Sequence, residues 1–148
     1  YPHVQLKIVC DTFFDCEYLK VVKKLWKSEE EVEDLQGFDI GVMPLVEDPW
    51  SWGKCGLKIV QYQGVGVPVV CTPVGINQDL VKDGSNGFWA MAPEEWEEKL
   101  ARLIEDASLR EQMGREGRKK VLEGFTIQSC APRLFSILDR LASQNRKS

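Results

Sequence analysis

Three short apolar runs limit what this chain can fold into. Residues 38–43 (FDIGVM) stop at Pro44, residues 67–71 (VPVVC) stop at Thr72-Pro73, and residues 87–91 (GFWAM) form the third. Each is too short for an ordinary helix and too apolar for one wetted face, so each reads as a strand buried on both sides. Residues 4–10 (VQLKIVC), ending at Asp11, and residues 21–26 (VVKKLW) read as two further strands.

Helical stretches alternate with these runs. Ser28 and Glu31 have capping-box spacing, which predicts a short acidic helix through Leu35. Residues 56–64 (GLKIVQYQG) read as an apolar helix. Pro93 suits a first helical position, with Trp96, Leu100, Leu103 and Ile104 following as one apolar stripe. Ser108 and Glu111 give a second capping box, with Leu109, Met113 and Val121 facing inward. Thr126 caps a last helix, with Pro132 in or near its first turns and a stripe of Leu134, Phe135, Leu138 and Leu141. Buried strands alternating with helices predict an α/β fold, a doubly wound parallel sheet covered on both faces. Ligands bind such sheets outside the carboxyl ends of the strands, which directs attention to the loops after Cys10, Met43 and Cys71.

Charge and cysteine usage remove several classes. A net charge of −4 and a pI near 5.1 give no basic footprint for nucleic acid. The five cysteines are odd in number and include no CxxC pair, so neither a disulfide framework nor a zinc site is expected. Cys10, Cys55 and Cys71 read as small reduced fillers, and a reducing, cytoplasmic setting is the expectation. No run of 18 apolar residues and no signal peptide is read, and the abrupt opening suggests a fragment of a longer chain. Residues 1–142 read as one domain and residues 143–148 as a disordered tail.

The loop after Met43 carries the chemistry. Gly53 and Gly56 bracket the expected helix start, where free amides attract phosphate. Lys54, Lys58 and Gln61 fall at i, i+4 and i+7, which on a helix is one face. Two ammonium groups one turn apart repel unless an anion lies between them, and a diphosphate with its ribose near Gln61 satisfies that stripe. Spacing alone leaves the bland alternative open, since lysines at helix starts are commonly solvated. The turn Thr72-Pro73-Val74-Gly75 is expected to line the same cleft, or to be a plain turn. Asp48 is the nearest carboxylate for sugar hydroxyls, and Trp50 and Trp52 are placed to stack on a base or sugar or to pack over the helix start. Trp26, Trp89 and Trp96 are expected in the core.

At this segment the sequence resembles a known family. Phe38 to Leu45, Pro49-Trp50, Gly53-Lys54-Cys55-Gly56, Leu57-Lys58, Gln61-Tyr62 and Gly66 to Val70 resemble the C-terminal domain of family-4 (group 1) glycosyltransferases. Thr72 to Asn77, Gly84 to Phe88, Glu95-Trp96, Leu109-Arg110, Met113-Gly114 and Gly117-Arg118 follow in register. The resemblance implies a GT-B enzyme of two Rossmann-like domains, transferring a sugar with retention from a UDP- or GDP-sugar donor and without a metal ion. It places the diphosphate on Gly53, Lys54, Cys55, Gly56 and Lys58, and the ribose on Gln61. Asp48, Trp50 and residues 72–75 would line the sugar side.

Partners implied are the donor, an N-terminal acceptor-binding domain, and a lipid-linked or other glycan acceptor. Peripheral membrane association of the full protein goes with such acceptors. The chain departs from the family in two places: Gly53 and Gln61 stand where most members carry the two acidic residues of a Glu-x7-Glu pair. A subgroup with a Trp-x-Arg-Gly-Lys-Cys-type motif also lacks that pair, although here Trp52 stands at its arginine. The family's domain opens with a strand and helix upstream of Tyr1, so this chain alone is expected to be inactive. The alternative is a binding or interaction module of the same fold with a decayed donor site. A nicotinamide domain is disfavoured because Gly64-x-Gly66 follows a helix and precedes a strand, and a phospho-receiver because only Asp11 follows the first strand.

Overall fold

The computed structural model describes residues 1–145. Five strands form two parallel sheets. β1 (Gln5–Val9) pairs with β2 (Lys20–Lys24). β3 (Gly41–Met43), β4 (Val69–Cys71) and β5 (Gly87–Trp89) pair in that order. The fold is the expected Rossmann-like α/β arrangement of parallel strands flanked by helices, with shorter strands than the apolar runs imply. Phe38 to Ile40, for instance, lie in the irregular connection before β3.

Helices cover both faces of the three-stranded sheet, because successive side chains of β4 point to opposite sides. Val69 and Cys71 pack with Ile59 of α3 (Leu57–Gly64) and with Leu80 and Val81. Val70 faces the other way and packs with Phe88, with Leu103 of α5 (Pro93–Glu105) and with Met113 of α6 (Ala107–Gly124). Trp96, Leu100 and Leu109 close this second cluster, as their spacing predicts.

Glycines set how α3 meets α6. A β-carbon at Gly114 would fall 1.9 Å from the carbonyl oxygen of Gly66, and one at Gly117 would fall 2.8 Å from the Gln63 side chain. At Gly114, α6 therefore meets the turn after α3 almost backbone to backbone, and at Gly117 it rests on the Gln63 side chain of α3.

Several local expectations are corrected. Ser28 caps nothing: residues Ser28–Glu30 form a 3-10 turn, and α1 (Glu31–Gln36) follows without a side-chain cap. Asp106, not Ser108, caps α6, accepting from the Leu109 amide at 2.9 Å. Asp106 and Leu109 have the geometry in which an N-cap carboxylate reaches the third helical amide, and that interaction preempts the serine. Glu95 reaches back to the amides of Met91 and Ala92 at the start of α5. Thr126 does pair reciprocally with Ser129 before α7 (Ile127–Asn145).

Pro132 lies inside α7, whose expected stripe of Leu134, Phe135, Leu138 and Leu141 is exposed. The tail expected from Ser143 is helical through Asn145, and its last three positions lie outside the described residues. Trp26 is half exposed instead of buried. Trp89 is partly buried and donates its indole N–H to the Val81 carbonyl at 3.0 Å.

Candidate functional site

The loop after β3 is organised by one carboxylate. Asp48 Oδ1 accepts from the Ser51 amide at 2.6 Å and starts a one-turn helix, α2 (Pro49–Trp52). Hydrogen bonds from Ser51, with the Lys54 ammonium nearby, hold the Asp48 carboxyl below the usual range. Asp48 is thus a cap with one oxygen committed to the backbone, a role that sequence reasoning missed because one turn carries no periodicity. Trp50 and Trp52 ride on this turn with their rings largely exposed.

Gly53 ends α2, with its amide bonded to the carbonyls of Trp50 and Ser51. Lys54 follows in extended connection, its amide on the Ser51 carbonyl, and Cys55 is exposed. Gly56 then takes φ +66°, a left-handed conformation that separates Lys54 from the helix. This corrects the expected stripe: α3 begins at Leu57, so Lys54 precedes it while Lys58 and Gln61 share its first turns. No side chain caps α3, which leaves its first amides to an acceptor from outside the chain.

Lys58 Nζ lies 3.7 Å from Glu31 Oε1, a loose pair on half-exposed side chains. Gln61 keeps its Oε1 out of water with no hydrogen-bond partner. No ion pair involves Lys54 among the described residues.

The turn after β4 is tied to this loop. Thr72 Oγ1 accepts from the Leu45 amide at 3.0 Å, and the Thr72 carbonyl accepts from Asn77 Nδ2 at 2.9 Å. Gly75, at φ +56°, packs on the end of α2, since a β-carbon there would fall 3.0 Å from the Trp52 carbonyl oxygen. The turn after β4 and the loop after β3 are therefore one unit at the carboxyl ends of adjacent strands.

The cleft-lining expectation for residues 72–75 is corrected in part. Thr72 and Val74 have buried side chains that serve the joint, and only Pro73 and Gly75 are partly exposed. Pro73 also holds Gln78, whose Nε2 donates to its carbonyl at 2.6 Å. The α4 turn (Asn77–Leu80) that follows packs Leu80 against Gly56.

Sequence reasoning also missed a buried ionic cluster behind the loop. Asp34 of α1 is buried, and its Oδ1 takes both Lys7 and Lys24 at 2.8 Å. The signal was available as a single carboxylate beside Leu35 on the inward face of an acidic helix. The cysteines are all free: Cys71 is buried, which pushes its thiol up to about 12, whereas Cys55 is not the filler expected. Among the described residues no cluster of metal ligands exists, and no helix is long and apolar enough to cross a membrane.

The profile of the family described as "Glycosyl transferases group 1" matches residues 18–120. A capsular polysaccharide biosynthesis glycosyltransferase, CapM, of Staphylococcus aureus is 38% identical over 71 residues, covering 47% of this chain and 19% of that protein. The chain thus spans about a fifth of the length of the curated relatives it matches. Sucrose-phosphate synthase from Thermosynechococcus elongatus superposes with a TM-score of 0.75 at 19% identity, covering 84% of this chain and 31% of that one. HepE of Anabaena, solved in complex with UDP and glucose, gives a TM-score of 0.69 at 18% identity, covering 84% and 32%. At those identities the two structures speak to the fold.

Proposed function

The chain belongs to the group 1 glycosyl transferases, and from that premise we propose that it is the donor-binding half of such an enzyme, holding a UDP- or GDP-sugar at the start of α3. The observation that carries this reading is the uncapped N-terminus of α3. A glycine precedes it, a free lysine stands before it, and a lysine and an unpartnered buried glutamine oxygen occupy its first turns.

Helix amides and ammonium groups attract a diphosphate there. Gly53 supports the same reading. Nothing in the chain's own packing requires a glycine at that position, where a β-carbon would meet only the Trp50 carbonyl at 3.5 Å, so the bare backbone is left for close approach of the donor. The ribose is assigned to Gln61, one turn on, whose Oε1 has no partner within the chain. Trp50 and Asp48 border the sugar side.

Chemically, leaving-group departure is the step this half serves. Negative charge builds on the diphosphate as the glycosidic bond to it breaks, and Lys54, Lys58 and the α3 amides offset that charge in place of a metal ion. Transfer with retention, an acceptor domain preceding this one, a glycan or lipid-linked acceptor and a cytoplasmic location all belong to the same proposal for the whole protein. HepE, of the same fold, has been solved with UDP and glucose, which favours a nucleotide-sugar ligand.

A thermal-shift panel of UDP, GDP, ADP and their sugar conjugates on the whole protein tests the reading. Stabilisation by one nucleotide diphosphate supports it and identifies the base. A flat response across the panel overturns it in favour of a module with a decayed donor site. The absent acidic pair and Trp52 are the features that favour that second reading.

A further inference from the structure

From Pro49 to Gln78 the chain carries two lysines and no acidic residue, although it has 23 Asp and Glu in all. This stretch runs through α2, α3, β4 and the turn after β4. Beyond the Asp48 cap, the near parts of both carboxyl-end loops therefore hold positive charge with no carboxylate to balance it.

Two adjacent residues in the stretch are unexplained by packing. Gly53 has φ −82° and ψ −5°, an ordinary right-handed conformation open to any residue. The space in front of its α-carbon is bounded only by the Trp50 carbonyl. Lys54 is partly buried, yet it makes no ion pair among the described residues. Asp48 feels its charge but stays beyond ion-pair distance, with Oδ1 committed to the Ser51 amide. Gly56 separates Lys54 from α3, so this ammonium is a second positive group, distinct from Lys58 and the helix amides.

An ammonium only donates hydrogen bonds. A neutral sugar gains most from groups that accept its hydroxyl hydrogens, whereas this side offers an unpaired cation, open space and no free carboxylate. A carboxylate on the sugar reverses the match. It accepts a charge-assisted bond from the ammonium, and an acidic side chain at position 53 would repel it.

We propose that the sugar of the donor is a uronic acid, its carboxylate lying over Gly53 and pairing with Lys54. The inference rests on the donor reading above and adds the class of sugar to it. A diphosphate on Lys58 and the α3 amides, with its nucleoside toward Gln61, directs the sugar the other way along the loop, to Gly53 and Lys54. The two anionic groups of the ligand then meet two cations that the Gly56 turn holds apart.

Titration calorimetry on the whole protein tests this. The ligands are UDP and GDP alone, UDP-glucuronic acid against UDP-glucose, and GDP-mannuronic acid against GDP-mannose. The expected result is an acid bound about 10-fold or more tighter than its neutral counterpart on one of the two nucleotides. Lys54→Gln should abolish that ratio while changing the affinity for the nucleotide diphosphate alone far less. Gly53→Glu, at a position with room for a side chain, should turn the ratio in favour of the neutral sugar.

Equal binding of acid and neutral sugar, or an acid preference that survives Lys54→Gln, overturns the inference and leaves the donor reading standing. So does tighter binding of UDP-N-acetylglucosamine than of UDP-glucuronic acid, because open space and not charge is then what the site offers. Absence of binding by any nucleotide overturns the donor reading, and this inference with it.

Discussion

Gly56 lies against Leu80 so closely that a β-carbon on the glycine would sit 2.3 Å from Leu80 Cδ1. The contact fixes where α3 begins, because the left-handed turn at Gly56 and the α4 turn carrying Leu80 hold each other. Gly56→Ala adds a left-handed penalty of about 1–2 kcal/mol and an overpacking cost of about 1–3 kcal/mol. Urea denaturation should show a loss in the range of roughly 2–5 kcal/mol. A loss below about 1 kcal/mol would mean that the turn relaxes freely and does not set the helix start.

The start of α6 gives a sharper test, because two candidate caps stand two residues apart. Asp106→Ala removes the bond to the Leu109 amide and should cost about 0.5–2 kcal/mol. Ser108→Ala, inside the helix and exposed, should change stability by less than about 0.5 kcal/mol. The reverse ranking would restore the serine as the cap.

Acid should act through the Asp34 cluster. Hydrogen bonds from Lys24 and then Lys7 hold the Asp34 carboxyl below its ordinary value of 3.8. The carboxylate therefore contributes stability that is fully present above that value and is lost as pH falls through its lower folded value. Glu30 is lowered in the same direction by Lys24 and Lys27. Equilibrium unfolding should be flat in this respect from pH 7 to 5 and weaken below about 4. Asp34→Asn should flatten that acid limb while lowering stability at neutral pH. An acid limb identical in the variant would place the titrating groups elsewhere.

Donor binding should depend unequally on the two lysines. Lys58 is on the first turn of α3 and Lys54 is not, so Lys58→Ala removes the ammonium group of the helix itself. A charge-assisted bond is worth about 1.5–3 kcal/mol, hence a roughly 10- to 150-fold weaker Kd for the nucleotide diphosphate in the whole protein. Lys54→Ala should weaken it less, because Lys54 stands before the helix and not on it. Glu31→Gln, which frees Lys58 from its loose pair, should strengthen binding. Titration calorimetry on the three variants checks the order, and unchanged affinity in Lys58→Ala would move the site.

What the sequence made legible was what local physics decides. Pro93 at the start of α5, the stripe from Trp96 to Ile104, the β4 core and the start of α3 at Gly56 all follow from periodicity and backbone preference within a dozen residues. The misses lie where local signals compete or where partners are remote. Ser108 carried a good capping pattern, and Asp106 carried a better placed oxygen. Lys54 kept helical spacing to Lys58, and Gly56 broke the helix between them. The α2 and α4 turns are too short to show a period.

The split between β1 and β3 was beyond any pattern, because strand pairing is a contact across the sequence. Within the candidate site, Gly56 and Lys58 stand at the start of α3, while Gly53 and Lys54 precede it in the connection from α2. Thr72 and Val74 read as lining because a turn's residues look alike until their side chains are seen to face inward.

The seam between Gly66 and Gly114 has one more consequence. With carbonyl against α-carbon and no side chain between, the spacing of α6 from the turn after α3 is set there by backbone alone. A long exposed lever, α7, is joined directly to the far end of α6.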